Sequence, residues 1–142
     1  MMNATRLAAE KSVLSRHLKE NTYRFMDMDT DKPYLLIAAM TNSGHLYTLR
    51  ICLEEFPYYV PAVFVMNELL TKKGKPMIEP DGRMHVLGTY KNHVQICHYG
   101  ALSWTPDVSL YKVFIKCRLW LEMYEEHLKT GKYIDFYLKH QE

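Results

Sequence analysis

Residues 34–54 read YLLIAAMTNSGHLYTLRICLE, and this stretch decides the fold class. Its first part, residues 34–40, is a near-continuous apolar run after Pro33. Such a run predicts a strand covered on both faces. Asn42-Ser43-Gly44 carries turn chemistry, because short polar side chains bond their own backbone and glycine tolerates positive φ. From residue 46 to residue 54 the side chains alternate. Tyr47, Leu49, Ile51 and Leu53 face one way, while Thr48, Arg50, Cys52 and Glu54 face the other. A period of two marks a half-buried strand, and a short Gly-containing turn between two strands predicts an antiparallel hairpin.

On the N-terminal side, residues 3–20 place Leu7, Leu14 and Leu18 on one helical stripe, with Ala8 and Val13 nearby. Lys11, Arg16 and Lys19 fall largely outside the stripe, so the spacing predicts a surface helix resting on apolar neighbours. Residues 22–28 read as a strand with Tyr23 and Phe25 on one face. On the other side, Pro57 and Pro61 bracket a connection into a fourth strand over residues 62–66. Residues 70–94 contain Gly74, Pro76, Pro80, Gly82 and Gly88 and show poor periodicity. A long segment without regular structure in a small domain is usually functional or disordered, and this one runs directly into Val94-Gln95-Ile96-Cys97.

A second helix is expected after Trp104. Thr105 fits its N-cap, Pro106 its first turn, and Asp107 the positive end of its dipole. Leu110, Phe114, Cys117, Leu121, Tyr124 and Leu128 recur at helical spacing to about Lys129, and Gly131 fits the stop. Residues 133–140 form a short terminal segment of undetermined type. These elements amount to a single α+β domain over residues 1–142.

Composition narrows the function classes. The chain has 142 residues, enough for one core, with 48% hydrophobic and 24% charged residues. A net charge of +2 gives no reason to expect a nucleic-acid partner, and Lys72, Lys73 and Lys75 form the tight basic cluster. Beside Gly74 and Pro76 that cluster reads as a solvated loop. The N-terminal 20 residues are amphipathic and charged, unlike a signal peptide, and no apolar run approaches membrane-spanning length. Cys52, Cys97 and Cys117 are odd in number and widely spaced, which favours a reducing, cytoplasmic location. Asp27, Asp29 and Asp31 alternate without the glutamate a calcium loop needs, so they read as a polar turn.

Cys97 is the candidate nucleophile, with His85, His93 and His98 around it in sequence. A neighbouring histidine lowers a thiol pKa from about 8.5 and raises the thiolate fraction. The alternative is a buried, inert cysteine with ordinary loop histidines. A second reading is zinc, with His93, Cys97 and His98 or His85 as three ligands. The spacing fits no closed structural pattern and a second nearby cysteine is missing, so no metal or other cofactor is expected. Cys117 falls on the apolar helix face and reads as core. Tyr58, Tyr59, Tyr90 and Tyr99 offer a stacking surface or local packing.

In this order the residues resemble the ubiquitin-conjugating enzyme (UBC-like) family. Pro57-Tyr58-Tyr59-Val60-Pro61-Ala62-Val63-Phe64 looks like the family's proline-rich entry to its fourth strand. Ile96-Cys97 looks like its thioester site, and Trp104-Thr105-Pro106 with Leu110 like the helix start that follows. Trp120-Leu121, Tyr124-Glu125 and Thr130-Gly131 look like the conjugating enzymes of bacterial anti-phage (CBASS) operons. The resemblance covers nearly the whole chain. It implies an N-terminal helix, a four-stranded antiparallel meander, an active-site loop with the cysteine, and a C-terminal helix.

The resemblance also implies a function: Cys97 carries the C-terminus of a ubiquitin-like protein or a cGAS-like nucleotidyltransferase as a thioester. It then passes that acyl group to an amine, and an activating enzyme is a further candidate partner. No nucleic acid or membrane partner is implied. His85 stands roughly where the family's His-Pro-Asn begins, but His85-Val86-Leu87 lacks the proline and asparagine. Losing an oxyanion donor costs about 100- to 1000-fold in rate, so Asn92, His93 and His98 are the candidates to stand in. The rival from another class is a non-catalytic UBC-like binding module for a ubiquitin-like partner.

Overall fold

Pro33 precedes the central hairpin and the turn at Asn42 to Gly44 joins its two strands, and the chain is organised around it. The computed structural model describes residues 2–137. The element order is α1 (Ala4–His17), β1 (Tyr23–Met26), β2 (Tyr34–Met40), β3 (Leu46–Cys52), β4 (Val63–Val65), a 3₁₀ turn (Gly82–Met84), β5 (Val86–Tyr90) and β6 (His93–Ile96). A second 3₁₀ turn (Ala101–Ser103), α2 (Leu110–Thr130) and α3 (Ile134–Tyr137) complete it. Of the expected terminal segment, residues 138–140 lie outside the described residues.

The sheet has six antiparallel strands in the order β1-β2-β3-β4-β6-β5, two more than expected. The first four form the expected meander, and the hairpin register pairs Tyr34 with Cys52 and Met40 with Leu46. The extra two span residues 86–96, across the end of the 70–94 segment and into the residues before Cys97, where no strand is expected. A two-residue turn joins them: Tyr90 pairs with His93, and Lys91 and Asn92 both take positive φ, 50° and 66°. Such a turn matches the twist of a hairpin but usually announces itself as Asn-Gly, a signal absent here. A register shift between Val86 and Gly88 further breaks the alternation.

One sheet face carries the core. Leu35, Ile37, Ala39, Leu49, Ile51, Val63, Val65, Val94 and Ile96 are buried against Val113, Phe114, Cys117, Trp120 and Leu121 of α2. On β2 the intervening residues Tyr34, Leu36 and Ala38 stay half-exposed, so the strand is covered on one face and not on both. Its apolar run reflects a lightly polar outer face; there the Arg50 guanidinium lies 3.7 Å from the Tyr34 ring centre.

The start of α2 also differs from expectation. Ser109 is its N-cap and accepts from the Lys112 amide at 3.0 Å, whereas Trp104-Thr105-Pro106 stays outside the helix. The cause is α1. Arg6 donates to the Pro106 and Val108 carbonyls at 2.7 and 3.0 Å, and the buried Glu10 carboxylate accepts from the Leu110 amide at 2.7 Å. A distant helix therefore adds to the Ser109 cap: Glu10 satisfies an amide that the helix end leaves open, and Arg6 holds the carbonyls just before it. Gly131 ends α2 as expected, with φ 79° and its amide donating to the His127 carbonyl at 2.8 Å.

Candidate functional site

Cys97 follows the last residue of β6, and three backbone carbonyls from elsewhere in the chain hold its surroundings. The Cys97 amide donates to the His85 carbonyl at 2.8 Å. His98 Nε2 lies 2.8 Å from the Pro61 carbonyl, which accepts only, so Nε2 carries the proton. The Trp104 indole donates to the Pro57 carbonyl at 2.9 Å. The segment after the cysteine is thereby sewn to the Pro57–Pro61 connection that precedes β4. Cys97 is half-buried, Cys117 is fully buried, and none of the three cysteines forms a disulfide. Burial pushes the Cys117 thiol far up, which leaves it inert, as expected for a core position.

Aromatic packing stiffens this loop. The Tyr99 and Trp104 rings meet edge to face at 5.3 Å, and Trp104 meets the buried Phe56 at 6.1 Å. Lys116 of α2 sets its ammonium 4.4 Å from the Tyr99 ring centre. Burial and the neighbouring Lys112 lower the Lys116 pKa. Sequence reasoning missed Lys116. Its only visible signal was its place between the apolar positions Phe114 and Cys117 on α2.

The proposed histidine partners separate into two groups. His85 and His98 lie beside Cys97, while Asn92 and His93 sit at the β5–β6 turn. At a strand rise of about 3.3 Å per residue, His93 is roughly 13 Å along β6 from Cys97, out of hydrogen-bond reach. The same separation means that His93, Cys97 and His98 do not converge, and no group of three or more metal-binding side chains gathers among the described residues.

His85 contributes to the site through its backbone. It is 4% exposed, adopts φ 52°, and closes the 3₁₀ turn with its amide on the Gly82 carbonyl. Histidine tolerates this left-handed region better than most residues, but the conformation still costs about 1–2 kcal/mol. Its ring Nε2 lies 3.2 Å from Asp135 Oδ1 of α3. The Trp120 indole donates to the neighbouring Met84 carbonyl at 2.9 Å. The carbonyl that holds Cys97 is therefore itself fixed from α2 and α3.

His98 is held neutral. Burial of the ring lowers its pKa to about 4, against the opposing bond to Pro61, and the Lys116 charge lowers it further. Part of the residue reaches solvent, yet Nδ1 is enclosed and has no hydrogen-bond partner. A neutral ring whose one N–H is committed to Pro61 cannot supply a cation to a thiolate. A base of this strength is also poorly matched to proton transfer near pH 7. The geometry fits His98 to positioning the loop.

Tyr58 and Tyr59 are exposed beside Pro57, whereas Tyr90 is remote at the far hairpin end. Among the described residues no helix is long and apolar enough to cross a membrane. Comparison with known proteins gives no match, whether with family models, with curated proteins or with solved structures.

Proposed function

We propose that the chain is a cysteine acyl carrier of the ubiquitin-conjugating type, with Cys97 as the residue that forms the thioester. The single observation behind this reading is the lodging of Cys97. It is partly open to solvent while its own amide, the next side chain and Trp104 are each tied to a separate carbonyl. Preorganisation of that kind suits a nucleophile that must meet a carbonyl in one orientation. An inert core cysteine such as Cys117 has no use for it.

In the proposed step the Cys97 thiol gives its proton to solvent and its sulfur bonds the acyl carbon of an activated protein C-terminus. The tetrahedral oxyanion so formed collapses, and the bond from that carbon to its activating group breaks. An amine then attacks the thioester, an amide forms, and the thiolate leaves. The carried protein is a ubiquitin-like protein or a cGAS-like nucleotidyltransferase, delivered by an activating enzyme, in bacterial anti-phage defence. The order of α1, a four-strand meander, the cysteine segment and α2 supports the reading. The β5–β6 hairpin and the missing His-Pro-Asn asparagine are departures from the family pattern. With Asn92 and His93 remote, backbone amides near Cys97 or substrate groups take the oxyanion role.

Iodoacetamide labelling of the native protein, read by mass, is the direct test. Fast labelling at Cys97 with Cys117 protected is expected. Equal protection of both thiols would overturn the reading and leave the binding module.

A further inference from the structure

We propose that the groove between residues 71–84 and the C-terminal end of α2 is a binding site, separate from Cys97, for an acidic peptide segment bearing an apolar side chain. The inference stands whether or not Cys97 carries an acyl group. The cavity measures about 1000 Å³, at the upper end of ordinary ligand sites and open enough for an extended segment. Met77 and Met84 line it and are 8% and 3% exposed, and the Tyr133 ring forms part of the wall. Methionine floors are unbranched and polarizable, so they accept varied apolar side chains.

The rim is cationic. Lys72, Lys73, Lys75 and Arg83 line it against two carboxylates, Glu79 and Asp81. Asp81 is already spent: it accepts from the Arg83 amide at 2.9 Å and pairs with the Arg83 guanidinium at 3.4 Å. Arg83 in turn lies 4.1 Å from the Tyr133 ring centre. Lys72 donates to the Leu128 carbonyl at 2.9 Å, at the negative end of α2. Lys73 and Lys75 are exposed and have no ion pair among the described residues. They hold their charge for a ligand.

These features separate a peptide from a phosphate. Phosphate sites favour a free arginine fork or a nest of backbone amides. Here the arginine is occupied and the remaining cations are point charges around an apolar floor. The walls are fixed: the Tyr124 hydroxyl bonds both the amide and the carbonyl of Leu70, at 2.9 and 2.7 Å. His127 bonds the Lys132 carbonyl at 2.9 Å. An ordered groove with unspent lysines binds without first having to fold.

The test uses a fluorescein-labelled pool of hexapeptides containing two leucines and two glutamates in every arrangement, read by anisotropy on the full chain. Saturable binding is expected. The affinity should fall by about tenfold or more in Lys73→Glu/Lys75→Glu, since two attractions become repulsions. It should also weaken as salt rises from roughly 0.01 to 1 M and the screening length shrinks from about 30 to 3 Å. In the unaltered protein, the methyl signals of Met77 and Met84 should shift on binding. The proposal is overturned if no peptide in the pool binds, or if the double variant binds as well as the parent. It is equally overturned if other methionines shift instead, or if inorganic pyrophosphate displaces the peptides at equal ionic strength.

Discussion

The cysteine loop and the groove loop flank the same 3₁₀ turn, yet they are built in opposite ways. On one side, residues 96–104 direct the Cys97 amide, the His98 ring and the Trp104 indole onto carbonyls of the interior or of a neighbouring loop. On the other, residues 71–79 carry exposed lysines, of which Lys73 and Lys75 have no ion pair among the described residues. One side is held in a single geometry, which orientation-dependent chemistry requires. The other keeps its electrostatics unspent, which suits recognition of a partner. Met84 and His85 join them, and Trp120 fixes the joint from α2.

The largest expected effect isolates the cysteine side. Cys97→Ala should abolish any reducible adduct with an activated protein partner, scored by non-reducing gel, while Cys117→Ala keeps it. Persistence of the adduct without Cys97 would break the contrast at its centre. The joint comes next. Trp120→Phe leaves the Met84 carbonyl without its buried donor and opens space, so a loss of about 2–4 kcal/mol is expected in urea denaturation. Because Met84 and His85 are consecutive, the same variant should speed alkylation of Cys97 and disturb the groove together.

His98 gives a pH test. Its folded pKa, about 4, lies below the ordinary 6.5, so the unfolded chain takes up the proton first as pH falls. The neutral ring's contribution is complete above pH 6.5 and is lost between 6.5 and 4, in total about 3 kcal/mol. Denaturation midpoints of His98→Gln should therefore decline less over that window than those of the parent. Parallel declines would show that the ring titrates freely. A smaller effect belongs to Trp104→Phe, which removes the donor to Pro57 at a half-buried site. About 1 kcal/mol of stability should go, and the Cys97 alkylation rate should change more than the binding of acidic peptides. Smallest of all, Lys73→Glu/Lys75→Glu should shift stability by only about 0.5 kcal/mol or less while altering peptide binding, because exposed side chains contribute little to the fold.

The residues brought together around Cys97 were partly visible beforehand. Cys97, His85 and His98 stood out as a cluster of reactive types close in sequence, and the structure keeps them close. The roles assigned to the histidines were not legible, because a histidine's chemistry depends on what its ring faces. His85 faces Asp135, fifty residues away, and His98 faces Pro61. Asn92 and His93 are nearer to Cys97 in number than His85 is, but they are carried off by the extended β6.

What the sequence determined by itself was local: strand periodicity in residues 46–54, the apolar stripe of α2, the Gly131 stop and the burial of Cys117. Each follows from side-chain spacing or one residue's backbone preference, which act over a few positions. Only the tertiary structure decided the sixfold sheet, the start of α2 and the anchoring of the cysteine loop. Those rest on a turn without the usual glycine, on Glu10 capping Leu110 and on carbonyls at positions 57, 61 and 85. Hydrogen bonds between residues far apart in the chain leave no periodic trace in the sequence, so their partners become known only once the core has brought them together.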